Sequence, residues 1–260
     1  MELLQKLITS VTFQRWANKR AVSAIFGWLA NQRLPHRWLI QLIDAFARSF
    51  QTDLSEYDYH PDRVRTFNDF FARSLKPGAR TFSGPICSPA DGFVSSFGSV
   101  VDDRMVQVKG KTYSLSDLLQ VKAPVRARSF LSIYLTLGDY HRVHLPFDAT
   151  LLSIRRIPGT LYSLSRGTLD KIDRVYCRNE RVVLEGTSPL GQFYLILVGA
   201  IVVGQIDINK NCILNAEIRQ GTEIGHFKMG SSVLLILESE VLTKLPHTLE
   251  THVKSGDSLC

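Results

Sequence analysis

The chain is short of several features that would place it quickly. Its four cysteines, Cys87, Cys177, Cys212 and Cys260, are far apart in 260 residues and form no Cys-x-x-Cys pair. A reducing compartment is therefore expected, with neither a metal cluster nor a disulfide framework. No secretory signal pattern is present, and the longest apolar run near the amino terminus is Ala21 to Ala30. That is about half of the roughly 20 residues a spanning helix needs. No low-complexity stretch interrupts the sequence. Acidic residues are scarce at one end: residues 1–50 hold seven Lys or Arg against two acids, a balance of +5 out of the formal +7 of the whole chain. The phosphate-loop pattern is also incomplete, because the first glycine required before Gly110-Lys111-Thr112 falls at Met105. Gly256-Asp257-Ser258-Leu259 spells a lipase signature but has no helix to open. Neither points to a site, and no nucleic-acid partner is expected.

What is present is ordinary for a folded protein, with 45% hydrophobic and 21% charged residues. Leu39, Leu42, Ile43, Phe46 and Phe50 recur at the spacing of an amphipathic helix, with Arg37, Gln41, Asp44 and Arg48 on other faces. Leu3, Leu4, Leu7, Ile8 and Val11 repeat the pattern. Such stripes commonly pack on a protein's own core. Here Trp16, Trp28 and Trp38 and the basic residues share the segment, which suits the surface of an anionic membrane. Thr66 to Arg73 reads as one more short helix, with Asn68 and Asp69 near its start.

Beyond Pro77 the texture changes. Gly92 to Phe97, Met105 to Val108, Phe130 to Leu137, Arg181 to Glu185, Phe193 to Val203 and Ser232 to Leu237 are short apolar runs bounded by turn residues, and read as strands. Arg219 to Gly225 is echoed by Val253 to Leu259, as in lipoyl-like hairpins. The expected class is α+β: a membrane-associating helical region over 1–76, then a mainly antiparallel β-sandwich or barrel-like catalytic body over 77–260.

Three segments carry reactive groups. Gly230-Ser231-Ser232 sets a hydroxyl directly after a glycine carbonyl that no Cβ obstructs, so Ser231 could add to Gly230 and convert amide to ester. Gly-Ser-Ser before an apolar run is also an everyday turn into a strand. Ser88-Pro89-Ala90-Asp91-Gly92 offers a carboxylate, which by itself could be a turn residue. Asp139-Tyr140-His141-Arg142-Val143-His144-Leu145-Pro146 offers two histidines three residues apart. Taken alone, that spacing could merely present two polar side chains from one strand end, with Arg142 solvated. A serine hydroxyl needs a base, and the base works best when a carboxylate fixes its tautomer. These segments contain those parts.

Ala90-Asp91-Gly92, Tyr140-His141-Arg142-Val143-His144 and Phe227-Lys228-Met229-Gly230-Ser231-Ser232, in that order behind a basic amphipathic end, resemble the phosphatidylserine decarboxylase proenzymes. Arg65 to Phe71, Val108 to Leu115 and Ile196 to Ala200 also read like that family. Met229 and Ser232 replace a commoner Leu and Thr around the reacting pair, and the stretch from Ile206 to Gly221 is shorter than in longer bacterial members. The resemblance implies autocatalytic cleavage between Gly230 and Ser231 into chains of 230 and 30 residues. It further implies that Ser231 becomes a covalent pyruvoyl group, without a metal, that forms a Schiff base with substrate. In this reading His144 is the base, Asp91 orients it, and His141 returns a proton during decarboxylation of phosphatidylserine to phosphatidylethanolamine. A histidine pKa near neutrality would suit that last task. The expected setting is peripheral, on the cytoplasmic face of a bacterial-type inner membrane, and a homo-oligomer is left open. Two rivals stand beside it: a zinc hydrolase with His141, His144 and Asp91 as ligands, and a non-catalytic membrane adaptor.

Overall fold

A computed structural model describes residues 19–106, 111–122, 125–201, 205–228 and 231–260. The stripe from Leu3 to Val11, Trp16 and the glycine of the Gly230-Ser231 pair lie outside the described residues. Two helices open the described chain, α1 (Lys19–Ala30) and α2 (His36–Phe50), and α3 (Phe67–Phe71) follows. Helix α3 starts where the sequence suggested. The Thr66 hydroxyl accepts from the Asp69 amide while the Asp69 carboxylate accepts from the Thr66 amide, a reciprocal cap that satisfies two free donors. Leu39, Ile43 and Phe46 of α2 bury against Phe70 and Phe71 of α3, and Leu137 packs on the same cluster. The α2 stripe is thus divided: Leu42 is 42% exposed, although its spacing places it with the buried residues.

The body is a ten-stranded antiparallel sheet faced by a three-stranded one. The large sheet contains β1 (Gly92–Val101), β2 (Arg104–Val106), β3 (Thr112–Ser114), β4 (Ser129–Leu135), β6 (Ala149–Ile157), β7 (Arg181–Ser188), β8 (Gly191–Gly199), β10 (Glu217–Ile218), β12 (Ser231–Leu237) and β13 (His252–Val253). Its order is β10-β6-β7-β8-β12-β4-β1-β2-β3, with β13 also paired to β1. The small sheet is β5 (Arg142–His144), β11 (Glu223–Phe227) and β9 (Ile206–Ile208), with β11 in the centre. This is the expected mixed class with a sandwich-like body.

Alternation divides the core. Val233, Leu235 and Leu237 of β12 join Leu131, Ile133 and Leu135 of β4 and Val143 and Leu145 between the two sheets. Leu234 and Ile236 point to the other face, covered by α4 (Leu115–Leu119) and α6 (Val175–Arg178), with α5 (Arg166–Lys171) nearby in sequence. Strand β12 carries no charge and is buried at every residue, so it occupies the middle, paired over its full length with β4 on one side and β8 on the other. Gly221 and Gly256, from the two echoed segments, both close on the Thr81-Phe82 segment, but the strands flanking each turn pair with other strands and not with each other.

Candidate active site

Ser231 is the first residue of β12, opposite Leu135 of β4 and Gly199 of β8. Its parity places it with Val233 and Leu235 on the face that meets the small sheet. The side chain is 1% exposed and its Oγ has no hydrogen-bond partner. A buried hydroxyl usually finds one, so an unclaimed Oγ at this position requires a reason.

Asp91 ends the segment leading into β1 and is buried. Its carboxylate accepts two hydrogen bonds from the Arg80 guanidinium and a third from the Ser255 amide at 2.8 Å. Arg80 also donates to Glu56 at 2.9 Å. Burial opposes the Arg80 cation, but the hydrogen bonds and charge of Asp91 and Glu56 outweigh it and raise its pKa. The glycine of Ala90-Asp91-Gly92 has a packing reason. At φ +146° a side chain on Gly92 would stand 2.3 Å from the Tyr134 carbonyl oxygen, so nothing larger lets β1 lie against β4.

His144 closes β5 and is 7% exposed. Nδ1 lies 2.8 Å from the Gly221 carbonyl oxygen and Nε2 lies 3.1 Å from the Tyr140 hydroxyl. The carbonyl can only accept, so Nδ1 carries the proton and Nε2 accepts from Tyr140. Gly221, at φ +80° with Phe82 against its Cα, permits the turn that aims this carbonyl. Burial lowers the His144 pKa, opposed by the Gly221 hydrogen bond and by the charges of Glu223 and Asp91. The implied contact between Asp91 and His144 is not among their hydrogen bonds. Gly221 holds the imidazole, and Asp91 acts on it through its charge. Nor is Ser231 hydrogen-bonded to either.

His141 precedes β5, fully buried, with Nδ1 donating to the Asp139 carbonyl at 2.8 Å and its ring 4.4 Å from that of Phe71. Nε2 is buried without a partner. Burial pushes its pKa down to about 4, against the Asp139 hydrogen bond. The expectation of near-neutral titration is therefore corrected: in this environment the imidazole is neutral at physiological pH, because the loss of water outweighs both the Asp139 hydrogen bond and the charge of the Asp139 carboxylate. Arg142, expected to be solvated, instead pairs with Glu223 through two hydrogen bonds of 2.9 Å.

Sequence reading missed most of what surrounds these groups. Arg73, 4% exposed, donates to the carbonyls of Gly138 and Asp139 and lies over the Tyr57 ring. Arg80, Tyr140, Gly221 and Ser255 carry no periodic signal and come from separate parts of the chain; Tyr140 lies within the histidine-bearing segment, and Gly221 and Ser255 lie within the two echoed segments, where nothing marked them as site residues. The zinc alternative is not supported, since among the described residues no three of His, Cys, Asp and Glu are grouped to hold a metal ion.

A cleft of about 570 Å³ opens on the other face of the large sheet, lined among others by Phe93, Ser96, Lys111, Tyr134, Thr136 and Arg166. Tyr134 and Thr136 flank Leu135, the partner of Ser231. Among the described residues no helix is long and apolar enough to cross a membrane.

Comparison with known proteins agrees with this arrangement of segments. The sequence profile described as phosphatidylserine decarboxylase matches residues 67–260. A phosphatidylserine decarboxylase proenzyme from Psychrobacter arcticus is 32% identical over 258 residues, covering 92% of each chain. One from Methylibium petroleiphilum is 36% identical over 252 residues, covering 87% of each. One from Methylobacillus flagellatus is also 36% identical over 252 residues, covering 87% of this chain and 89% of its own. With the match running from α3 through β13 and including every segment that supplies a site residue, the chain belongs to the phosphatidylserine decarboxylase family.

Proposed function

We propose that the chain is a self-processing decarboxylase that converts phosphatidylserine to phosphatidylethanolamine, with its reactive carbonyl made from Ser231. The observation that carries this reading is the buried, unpartnered Ser231 Oγ at the head of the central strand. Ser232 Oγ is equally unpartnered, but only Ser231 directly follows the Gly230 carbonyl. Attack of that hydroxyl on the Gly230 carbonyl moves the Gly230 acyl group from nitrogen to oxygen. Loss of the Ser231 α-proton then expels the Gly230 carboxylate and leaves dehydroalanine. Water converts that residue to a pyruvoyl end and releases ammonia. His144 is the base of choice, because Gly221 fixes the tautomer that leaves Nε2 able to accept a proton. Asp91, paired with Arg80, supports the imidazolium by its charge rather than by contact.

A pyruvoyl group at position 231 supplies a carbonyl that accepts the electrons left on the α-carbon when carbon dioxide departs. The chain's own residues do the remaining work. His141, neutral and with Nε2 unclaimed, is the proposed carrier of the proton to and from that carbon; once protonated in its buried site it gives that proton up readily.

Helices α1 and α2 are the proposed membrane contact, on the cytoplasmic face of a bacterial-type inner membrane. Their outer surface exposes Ile25, Trp28, Leu29, Leu34, Trp38 and Leu42, with Trp28 at 63% and Trp38 at 65%. Arg33, Arg37 and Arg48 are exposed beside them. Apolar bodies ringed by cations fit an anionic lipid surface. Residues 1–76 would then be the membrane-associating part and 77–260 the catalytic part.

Intact-mass analysis tests the scheme. Wild-type protein should separate into chains 1–230 and 231–260, the second with a blocked amino terminus, and Ser231→Ala should remain one chain of 29.3 kDa. Fragments of the same size from Ser231→Ala would overturn it.

A further inference from the structure

His252 lies in β13, carboxy-terminal to the proposed cut, where it pairs with Phe93 of β1 and sets its ring 4.9 Å from the Phe93 ring, edge to face. Its Nε2 donates to Asp139 Oδ1 at 2.8 Å. The Asp139 side chain is only 11% exposed, and its second oxygen accepts from the Thr136 amide at 2.6 Å. That bond, with the Asp139 amide donating to the Thr136 carbonyl, closes a tight turn over 136–139. The Asp139 carbonyl at the end of the turn holds His141 Nδ1 and also accepts from Arg73. Three parts of the molecule thus meet on one residue: Arg73 from the helical side, His141 from the strand lead-in, and His252 from the segment after Ser231.

We propose that His252 is a positioning residue for His141: by clasping the Asp139 carboxylate it fixes the turn whose last carbonyl aims the His141 ring. The inference rests on the functional reading above, in which His141 carries the proton of decarboxylation. An exposed His–Asp pair is ordinarily worth little. This one differs because the carboxylate is mostly buried and braces a turn, so what it affects is the direction of a neighbouring carbonyl. If the chain is cut before Ser231, the clasp joins two chains. The smaller chain would then supply both the reactive carbonyl and the support for the proton carrier.

The groups facing His252 are Asp139 and Asp91, which favour its charged form, and Lys254, which opposes it; Lys254 is itself paired with Glu56. The Asp139 hydrogen bond raises the His252 pKa above its ordinary 6.5. The clasp is therefore strongest below that raised value and weakens as pH rises through it.

His252→Gln keeps a donor of similar reach without the charge, and His252→Ala removes both. Both variants should cut themselves as completely as wild type. On phosphatidylserine in mixed micelles both should lose about 10- to 100-fold in kcat with little change in KM, the pattern expected of a misaimed group rather than weaker substrate binding. Wild-type kcat should fall as pH rises through the His252 pKa, and His252→Gln should lack that limb. A His252→Gln enzyme with wild-type kcat and pH profile would overturn the proposal. A wild-type protein that cuts itself yet releases no carbon dioxide would instead overturn the functional reading. The clasp then has its own readout, the His252 titration by NMR. It should lie above 6.5 in wild type and return there in Asp139→Asn; an ordinary value in both would sink it.

Discussion

His141 and His144 are three residues apart, similarly buried and both bonded through Nδ1 to a backbone carbonyl. Their difference lies at Nε2. That of His144 already accepts from Tyr140, whereas that of His141 has no partner. In the proposed mechanism the two histidines have separable roles, and one substitution tests the separation. His141→Ala should self-process at close to the wild-type rate while releasing carbon dioxide at least about 100-fold more slowly, as for loss of a general acid or base. Mass spectrometry of the protein and trapping of carbon dioxide read the two steps independently. Full activity in that variant would remove His141 from the mechanism. Asp91 illustrates a different point. A carboxylate near an imidazole need not touch it, because Arg80 and the Ser255 amide claim its oxygens and its influence on His144 is Coulombic.

At the scale of elements, α2 uses two sides of one amphipathic helix. Its inner residues Leu39, Ile43 and Phe46 pack on α3, and Phe46 meets the rings of Phe67, Phe70 and Phe71. Its outer residues Trp38 and Leu42 face solvent together with Trp28 of α1. The end of α2 also reaches the site: a Cβ on Gly138 would come within 2.9 Å of Phe50, and Thr52 donates to the Gly138 carbonyl. Replacing Trp28 and Trp38 together by Ala should leave stability and self-cleavage unchanged while weakening binding to anionic vesicles. Salt should reverse wild-type binding only in part. Each basic residue near the surface adds about 1 kcal/mol that salt screens, and buried apolar area adds a term it does not. Activity should fall more on vesicle-borne than on detergent-dispersed substrate. Unchanged co-sedimentation of the double variant would place the membrane contact elsewhere.

Taken as a whole, the molecule holds histidines whose pKa values move in opposite directions, two of them buried and one exposed. Those of His141 and His144 are lowered by burial, His141 to about 4, so the unfolded chain binds protons there that the native state refuses. Stability from these two is present above the unfolded value of 6.5 and is lost as pH falls below it. For His141 the loss continues to about 4. Each such proton contributes a slope of about 1.4 kcal/mol per pH unit. His252 has the opposite sign: its pKa is raised by Asp139, so its contribution is present below 6.5 and is lost as pH rises through the native value. Thermal melts should therefore show the melting temperature of wild type declining more steeply on acidification below 6.5 than that of His141→Gln, which has no such proton to bind. Parallel curves would mean that His141 is not held neutral in the fold.

The sequence by itself determined the class, most of the long strands and the segments that supply the reactive groups. Those properties are local. Apolar runs bounded by turn residues give β1, β4, β7, β8 and β12, the Thr66 and Asp69 side chains cap α3 within one turn, and Ser231 follows a glycine by covalent connection. Short pieces such as β5, β9, β10 and β13 were not legible, because two or three residues have no measurable period and pair only when a neighbour is already in place. The division of α2 into buried and exposed sides was likewise undetermined, since a stripe wide enough to include Leu39, Leu42 and Ile43 does not say which part meets α3. Only the tertiary structure decided how the site is wired. Gly221 rather than Asp91 holds His144, Arg80 claims Asp91, and His252 reaches Asp139 across 113 residues of sequence. The reason is physical: burial and long-range hydrogen bonds set the orientation and charge of these side chains, and both depend on which distant segments the sheets bring together.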